Sequence, residues 1–595
     1  MPAARSSGQR ETFKLFLIQP SRYDDDGYVI QWARVAIPSG SLGVLHGLAL
    51  DCVERRVLGD DVEIQVTPLD ENATRIKPKK IIREIQAAGG QGLVALVSVQ
   101  TNQFPRAVDI ARPLLAVGIP VCIGGFHVSG CLAMLPKVPP DIQEAIDLGI
   151  YIFAGEAEGR LEGVLQDAYR GELKPVYNFM SELPDLQGAP TPILPAATIR
   201  GYINSRASFD TGRGCPFQCS FCTIINVQGR KSRYRSADDV ERIVRANHAQ
   251  GVSWFFLTDD NLARNRNWEA IFDRLIKLRR DDNIEVDLSI QADVLCHKIP
   301  NFIEKAALAG VKTVFIGLES INPDSLQAVK KKQNQIIEYR PMLQAWKSVG
   351  VINYCGYIFG FPNDTPESIV RDVEILKREL PVDLVSFNCL TPLPGSEDHK
   401  ALHAKGVWMD PDMNKYDLDH VTTDHPQMSK EAYRRAHEQA WHSHLTPEHV
   451  ETIMRRAAAC GMSLSRFKNV VLWFRGWPVI EGVHPYQSGL FRRKYRKVRR
   501  YGMPLESPLV FYPRYLWEII SKSARLFWLA YRYDRIRRRV ENDPMKLAYR
   551  DIAMTLPSDE ELDTLEIFSA TDATKTEIDK VRQSQARRAA SVVAE

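Results

Sequence analysis

The chain has 595 residues, of which 44% are hydrophobic and 25% are charged, as in an ordinary soluble globular protein. Its length predicts about three or four domains, and its ten scattered cysteines exclude the dense disulfide pattern of a small secreted scaffold. The first ten residues lack the apolar core of a secretory signal. The sequence also contains no run of about eighteen apolar residues, the length that a membrane-spanning helix needs. We therefore expect a cytoplasmic protein in a reducing compartment.

The first 170 residues alternate between strand patterns and helix patterns. Strands are predicted at 13–20, 62–70, 92–99, 121–125 and 151–159, and helices at 40–59, 78–88, 105–117 and 160–170. This alternation predicts a Rossmann-like, doubly wound parallel sheet over residues 1–170, with a ligand beyond the carboxyl ends of its strands. The candidate ligand-binding residues at those ends are Ser98, Gly124, Gly125 and His127, of which His127 could equally cap the next helix.

A proline-rich segment at 171–205 is predicted to be a linker, and six further strand and helix repeats follow it. The predicted strands are 207–211, 253–258, 284–290, 313–318, 352–360 and 384–390. Six repeats indicate a partial (β/α)6 barrel of TIM-like type over 206–396, whose function should collect at the carboxyl ends of the strands.

Three cysteines, Cys215, Cys219 and Cys222, stand in the loop after the first of these strands. Thiolates are the usual ligands of iron–sulfur clusters, and three of them would leave one iron of a 4Fe–4S cluster open for an exchangeable ligand. A structural zinc site would need a fourth Cys or His at short spacing. The next candidates, His248 and Cys296, lie far downstream.

The C-x3-C-x2-C spacing, with Phe221 just before the last cysteine, resembles the signature of the radical S-adenosylmethionine (SAM) superfamily. The strings IGLES, GFPNDT and TPLPGS, in this order, resemble later segments of the subfamily that carries cobalamin domains. The resemblance implies that the open iron binds SAM and that an external one-electron reductant allows the cluster to form a 5'-deoxyadenosyl radical. It also places Phe221 beside the adenine and makes Asp259, Asp260, Glu319 and Ser320 candidate SAM contacts. Each of these four could instead cap a helix or stabilise a loop.

The predicted sheet ahead of the cysteine loop resembles the cobalamin-binding domain of cobalamin-dependent radical SAM enzymes. The string Asp-x-His-x-x-Gly, which supplies a histidine below cobalt in some such domains, does not occur here. His46 has Val44 where that string has Asp, and we expect it to pack within its helix. A bound corrinoid would then have no histidine lower ligand.

Residues 397–545 read as a helical region, and the basic charge of the chain is concentrated in it. Residues 491–540 carry a local charge of +12, which leaves −8 for the remainder of the chain. The aromatic and arginine-rich stretch 513–540 is compatible with a peripheral membrane helix, an ordinary packed amphipathic helix or, with less support, a nucleic-acid contact. His437, His442 and His444 are expected on a solvated helix face, and 546–595 is expected to be a disordered polar tail.

By these resemblances we expect an enzyme, a radical SAM methyltransferase that uses a 4Fe–4S cluster, SAM and cobalamin to methylate an unactivated carbon of a small or lipid-like substrate. Three alternatives stay open at this stage. One is radical SAM oxidation, cyclisation or rearrangement without a corrinoid, and another is tRNA methylthiolation. The third is a non-enzymatic iron–sulfur sensor or membrane-surface module.

Overall fold

The structure is a computed structural model that describes residues 10–555, 564–580 and 582–583. Its first sheet has six parallel strands in the order β3-β1-β4-β5-β6-β7. The first elements are β1 (Glu11–Gln19), β2 (Gln31–Val35), α1 (Gly40–Glu54), β3 (Val62–Asp70), α2 (Pro78–Ala87), β4 (Gly92–Leu96), α3 (Phe104–Leu115), β5 (Val121–Gly124), α4 (Phe126–Met134), α5 (Pro140–Asp147), β6 (Tyr151–Ala154), α6 (Leu161–Arg170) and β7 (Val176–Asn178). The strands are nearly continuous apolar runs because helices cover both faces of the sheet.

A second sheet also has six parallel strands, in the order β15-β14-β13-β12-β11-β8. Its elements are α7 (Ala196–Ile199), β8 (Ala207–Phe209), β9 (Gly212–Arg213), α8 (Ile224–Val227), β10 (Arg233–Tyr234), α9 (Ala237–His248), β11 (Trp254–Leu257), α10 (Trp268–Asp281), β12 (Asp287–Ala292), α11 (Phe302–Ala309), β13 (Val311–Glu319), α12 (Pro323–Ala328), α13 (Tyr339–Ser348), β14 (Ile352–Phe359), α14 (Pro366–Glu379) and β15 (Leu384–Cys389). Every predicted strand of this region is present. Gly310 ends α11 in the left-handed conformation, at a φ of 106°, and so turns the chain into β13.

Helices dominate the remainder of the chain. They are α15 (Glu397–Lys405), α16 (Lys430–His444), α17 (Pro447–Ala459), α18 (Leu464–Gly476), α19 (Pro508–Glu541) and α20 (Glu566–Ser569), with one strand, β16 (Gly489–Arg493). β16 pairs antiparallel with β2, so the C-terminal region is joined to the N-terminal one by backbone hydrogen bonds. The chain is therefore an α/β protein with two parallel sheets and a helical C-terminal region, as predicted at that level. Of the helices that the structure describes, none is both long and apolar enough to cross a membrane.

Several local predictions were wrong. β7 lies inside the predicted linker and adds the sixth strand to the first sheet. α1 ends at Glu54, five residues before the predicted end. α19 begins at Pro508, not at Pro513, because the Ser507 side chain accepts a hydrogen bond from the Leu509 amide and caps the earlier turn.

Part of the predicted disordered tail is folded. Ile567 and Phe568 are buried, and the Glu379 carboxylate accepts hydrogen bonds from the backbone amides of Glu566 and Ile567. These apolar side chains are few in a polar stretch, but they meet a core that the distant second-sheet region supplies. Residues 556–563, 581 and 584–595 of the predicted tail lie outside the described residues.

Candidate active site

The cysteine loop leaves the carboxyl end of the second sheet and is held by backbone hydrogen bonds. The Cys215 amide donates to the Gly229 carbonyl at 3.2 Å, and the Ser220 amide donates to the Val329 carbonyl at 3.0 Å. Gly214, at a φ of 90°, passes so close to the backbone that a Cβ there would stand 2.6 Å from the Lys231 carbonyl oxygen. The loop therefore has a fixed path between β9 and α8.

The three thiols lie on one loop and are buried or partly buried. Cys219 is buried, whereas Cys215 and Cys222 are partly exposed. Burial raises the pKa of Cys215 to about 11 and that of Cys222 to about 12. The Cys215 and Cys222 thiols are therefore protonated at neutral pH in the absence of metal, and binding a metal cluster must displace those protons.

Two polar side chains from the segment after α12 reach the cysteine loop. The Gln333 side-chain amide donates to the Cys219 sulfur at 3.4 Å. Buried Lys331 forms an ion pair with Glu319, and its ammonium group lies 5.7 Å from the centre of the Phe221 ring. Burial disfavours the charge of Lys331, but the Glu319 carboxylate outweighs this effect and the pKa of Lys331 is raised. Donors of this kind complement the negative charge of cluster thiolates.

The donor set fits an iron–sulfur cluster. In the part of the chain that the structure describes, no three His, Cys, Asp or Glu side chains are grouped closely enough to hold a single ion. A cubane cluster has a different requirement, because each thiolate binds its own iron atom. Cys215, Cys219 and Cys222 on one loop, with Lys331 and Gln333 beside them, meet that requirement.

The predicted SAM contacts differ in how available they are. Asp259 accepts hydrogen bonds from the Thr211 amide and hydroxyl, both at 2.7 Å, and Asp260 accepts one from the Gly214 amide at 3.1 Å. Burial raises the pKa of Asp259 to about 6 and that of Asp260 to about 7. Both carboxyl groups thus brace the start of the cysteine loop.

Glu319 is the last residue of β13, and Ser320 follows it in the turn to α12. Glu319 has a φ of 63°, in the left-handed region, and this strained conformation directs its carboxylate to Lys331. The Ser320 hydroxyl accepts a hydrogen bond from the Asn322 amide at 3.0 Å, which stabilises the turn into α12. Of the predicted contacts, Glu319 and Phe221 share Lys331 as a neighbour, whereas Asp259 and Ser320 are engaged in their own loops.

A large cavity opens at the carboxyl edge of the first sheet. Its empty space is about 1210 Å³, counting the open mouth. Ser98, Gly124 and Gly125 line it, as predicted for a ligand at the strand ends. Gly125 has a φ of 150°, and a Cβ there would stand 2.1 Å from the Val99 nitrogen, so only glycine fits this wall. Apolar side chains supply much of the rest, including Leu17, Val44, Leu45, Phe126, Phe153, Leu161 and Val164.

His127 does not line the cavity, so its predicted place there was wrong. It is fully buried within α4, where its Nε2 lies 2.7 Å from an Asp141 oxygen and its ring lies 4.4 Å from the Phe104 ring. His46 is buried as expected, with its Nδ1 2.7 Å from the Ile193 carbonyl oxygen. The cavity walls that the structure describes contain no histidine.

Residues that follow strands β8 and β11 of the second sheet, together with Arg213 of β9, complete the cavity. Asp210, Arg213 and Thr258 line it together with the strand ends of the first sheet. The Arg213 guanidinium is buried and forms ion pairs with Glu156 at 2.6 Å, Glu158 at 2.7 Å and Asp210 at 3.1 Å. Arg213 is only two residues from Cys215, so this network ties the cavity wall to the cysteine loop.

Sequence reasoning missed three of these residues. Arg213, Lys331 and Gln333 were not among the predicted site residues. The only local signal for the last two is the polar string KKKQN at 330–334, which is indistinguishable from an exposed loop. Their roles depend on the fold, which brings the segment after α12 against the cysteine loop.

Residues 210–376 match the family model described as the radical SAM superfamily. The chain is 26% identical over 355 residues to bacteriochlorophyllide d C-8(2)-methyltransferase of Chlorobaculum tepidum. This alignment covers 57% of this chain and 74% of that protein. It is 24% identical over 385 residues to hopanoid C-2 methylase of Rhodopseudomonas palustris, with coverages of 61% and 69%. The solved structure of the cobalamin-dependent SAM radical enzyme OxsB with aqua-cobalamin bound aligns with a TM-score of 0.50 and 14% identity, over 96% of this chain and 84% of that one.

The cysteine loop lies inside this match, so residues 210–376 form the radical SAM domain of an enzyme. The two relatives named above are a methyltransferase and a methylase, and the aligned OxsB structure holds cobalamin.

Proposed function

We infer that this protein is a cobalamin-dependent radical SAM methyltransferase that transfers a methyl group to an unactivated carbon of a small-molecule substrate. The observation that carries the proposal is the shared cavity. Its walls come from the strand ends of the first sheet and from Asp210 and Arg213, beside the cysteine loop. A corrinoid in that cavity would lie next to the cluster and SAM.

The residues of the chain bind and orient the cofactors. Cys215, Cys219 and Cys222 would hold the cluster, and Lys331 would keep positive charge beside their sulfurs. When bound, the cluster and SAM supply a 5'-deoxyadenosyl radical, and cobalamin supplies the methyl group. The apolar cavity walls exclude water from the corrinoid face, and the bare backbone at Gly124 and Gly125 lets a planar ring approach closely.

Phe221 would lie beside the adenine, and Glu319 is the carboxylate best placed for the SAM amino group or ribose. To bind SAM in this way, Glu319 must share its carboxylate between the ligand and Lys331. Asp259, Asp260 and Ser320 would then act on SAM through the loops that they stabilise.

The proposed domain organisation follows from the two sheets. A Rossmann-like domain over 1–170 takes its last strand from the 171–205 segment, and 206–396 forms the partial (β/α)6 barrel. A helical basic region over 397–545 and the tail 546–595 complete the chain. We propose a cytoplasmic enzyme that depends on an external one-electron reductant and accepts a lipid-like substrate. Its 491–540 segment would contact a membrane surface rather than nucleic acid.

The test is formation of 5'-deoxyadenosine from SAM by the reconstituted protein under anaerobic, reducing conditions. Cys215→Ala should abolish it and lower the iron content, because the cluster loses one of three ligands. Cys460→Ala is the matched control, since Cys460 is also partly exposed but lies at the end of α17. Equal 5'-deoxyadenosine formation by wild type and Cys215→Ala would contradict the assignment.

A further inference from the structure

The outward face of α19 is apolar over about six turns of helix. It consists of Leu509, Tyr512, Leu516, Trp517, Ile520, Phe527, Trp528 and Tyr531, all of which are exposed. These residues recur at helical spacing along 23 residues, which is about 33 Å of helix. Isolated apolar side chains on a surface need no explanation, but a row of large aromatic and aliphatic groups, interrupted only at Ser523 and Ala524, marks a binding surface.

The opposite face of α19 is fixed to the protein. Phe511, Tyr533, Ile536 and Val540 are buried, and the Tyr533 hydroxyl donates to the Leu445 carbonyl at 3.1 Å. The helix therefore already has its protein partner on one side. The outward face is not the core face of an unpacked helix.

The charged side chains of the same stretch turn away from the outward face. All four between positions 509 and 531 bind protein groups. Arg514 pairs with Glu506, Glu518 with Lys494 and Lys522 with Glu481, and Arg525 donates to the Val479 carbonyl. The outward face thus carries no charge along its length.

Cations stand at the C-terminal end of this face. Within the described part of the chain, Arg532 and Arg535 form no ion pair. The Arg532 guanidinium lies 4.5 Å from the centre of the Trp528 ring, and that of Arg535 lies 5.9 Å from the centre of the Tyr531 ring. Apolar and aromatic groups beside unpaired cations match the boundary between acyl chains and anionic headgroups.

We propose that α19 lies flat on an anionic lipid bilayer, with its outward face in the interface and Arg532 and Arg535 at the headgroups. This inference deepens the membrane contact of the proposed function, but it needs no assumption about the reaction. A nucleic acid would require cations where Leu516, Ile520 and Phe527 stand. A second copy of the chain would bring two segments of +12 charge together, which opposes pairing.

The test is flotation of the full-length protein with vesicles of phosphatidylcholine alone or of equimolar phosphatidylcholine and phosphatidylglycerol. We expect binding to the mixed vesicles that weakens at high salt. The double variant Leu516→Glu/Phe527→Glu should bind them at least about 100-fold more weakly, because it removes two large apolar groups from the interface. Arg532→Gln/Arg535→Gln should weaken binding about 25-fold on mixed vesicles and little on neutral ones.

Leu308→Glu is the matched control. Leu308 is 64% exposed on α11 and Leu516 is 58% exposed on α19, so both substitutions place a carboxylate at an exposed helical leucine. The control should bind vesicles as the wild type does, and all variants should still cleave SAM. Absence of vesicle binding by the wild type, or equal loss with Leu308→Glu, would overturn the proposal. A vesicle-free dimer that Leu516→Glu/Phe527→Glu dissociates would also overturn it, in favour of a second copy. A wild-type protein that binds the vesicles but does not cleave SAM would contradict the proposed function and leave the membrane proposal standing.

Discussion

Cys219 and its neighbours show how individual residues prepare the site. The spacing of the three cysteines identified the ligand set, since it is contained within eight residues of sequence. The sequence did not reveal that Gln333 donates to the Cys219 sulfur or that Lys331 is buried beside Phe221. These contacts join segments about 110 residues apart, and nothing in a polar string such as KKKQN indicates burial.

Gly130 lies where α4 closely approaches the loop that follows β15. A Cβ there would stand 2.3 Å from the Pro394 carbonyl oxygen, in the loop that follows β15. Gly130→Ala should therefore lower stability by about 1–3 kcal/mol through overpacking. Calorimetric unfolding would measure this. Gly163→Ala is the control, because a Cβ at Gly163 within α6 meets nothing within 4 Å, and it should be neutral or stabilising. A Gly130→Ala protein as stable as the wild type would contradict this close approach.

His444 gives a prediction for pH dependence. It was expected on a solvated helix face, but it is buried, and its ring nitrogens have no hydrogen-bond partner within the described residues. Burial, with Lys377 and Arg475 nearby, lowers the pKa of His444 to about 3. A histidine in the unfolded chain has a pKa of about 6.5. Between that pH and the folded pKa of about 3, the unfolded state binds one proton more than the folded state. The stability that neutral His444 provides is complete above pH ~6.5 and is lost as the pH falls.

His444→Phe should therefore raise the free energy of unfolding, relative to that of the wild type, by more at acidic pH than at neutral pH. The expected gain is about 2 kcal/mol at a pH of about 5, measured by urea unfolding at both pH values. His442→Phe, at an exposed position of the same helix, should show no such pH-dependent gain. The same gain with both variants would show that burial of His444 is not the cause.

At the scale of elements, the alternation of apolar strands and amphipathic helices was readable because it is local. Every strand of the second sheet was predicted to within a few residues. The sixth strand of the first sheet was missed because Val-Tyr-Asn lies among prolines and is too short to show a period. The folded part of the tail was missed for a related reason, since Ile567 and Phe568 are buried only by contact with distant elements.

The ion pairs of Arg213 join β9 to the segment that follows β6, and their loss tests whether the cavity wall depends on charge. Arg213→Gln would leave the buried carboxylates of Glu156, Glu158 and Asp210 with fewer cations, at a cost of about 3–5 kcal/mol. We expect a lower unfolding midpoint and weaker retention of cobalamin. Arg55→Gln breaks an exposed ion pair with Glu162 and should cost less than about 1 kcal/mol. Equal losses of stability in the two variants would show that the Arg213 network does not stabilise the cavity wall.

At the scale of the whole molecule, the site depends on the two sheets being held together. The cavity takes walls from both sheets, and β2 pairs with β16, so the C-terminal region is joined to the same assembly. Sequence patterns predicted the two sheets separately, together with the ligand set of the second. They could not predict that Arg213 links the cavity to the cysteine loop, because this contact depends on how the sheets dock.

The most direct test of the account is anaerobic reconstitution of the full-length protein with iron, sulfide and hydroxocobalamin, followed by desalting and metal counts. We expect the reconstituted protein to hold about four irons and about one cobalt per chain. The cobalt should resist desalting in the wild type and be reduced in Arg213→Gln. Retention of iron without cobalt would contradict cobalamin-dependent methyl transfer and leave a radical SAM enzyme of another reaction type.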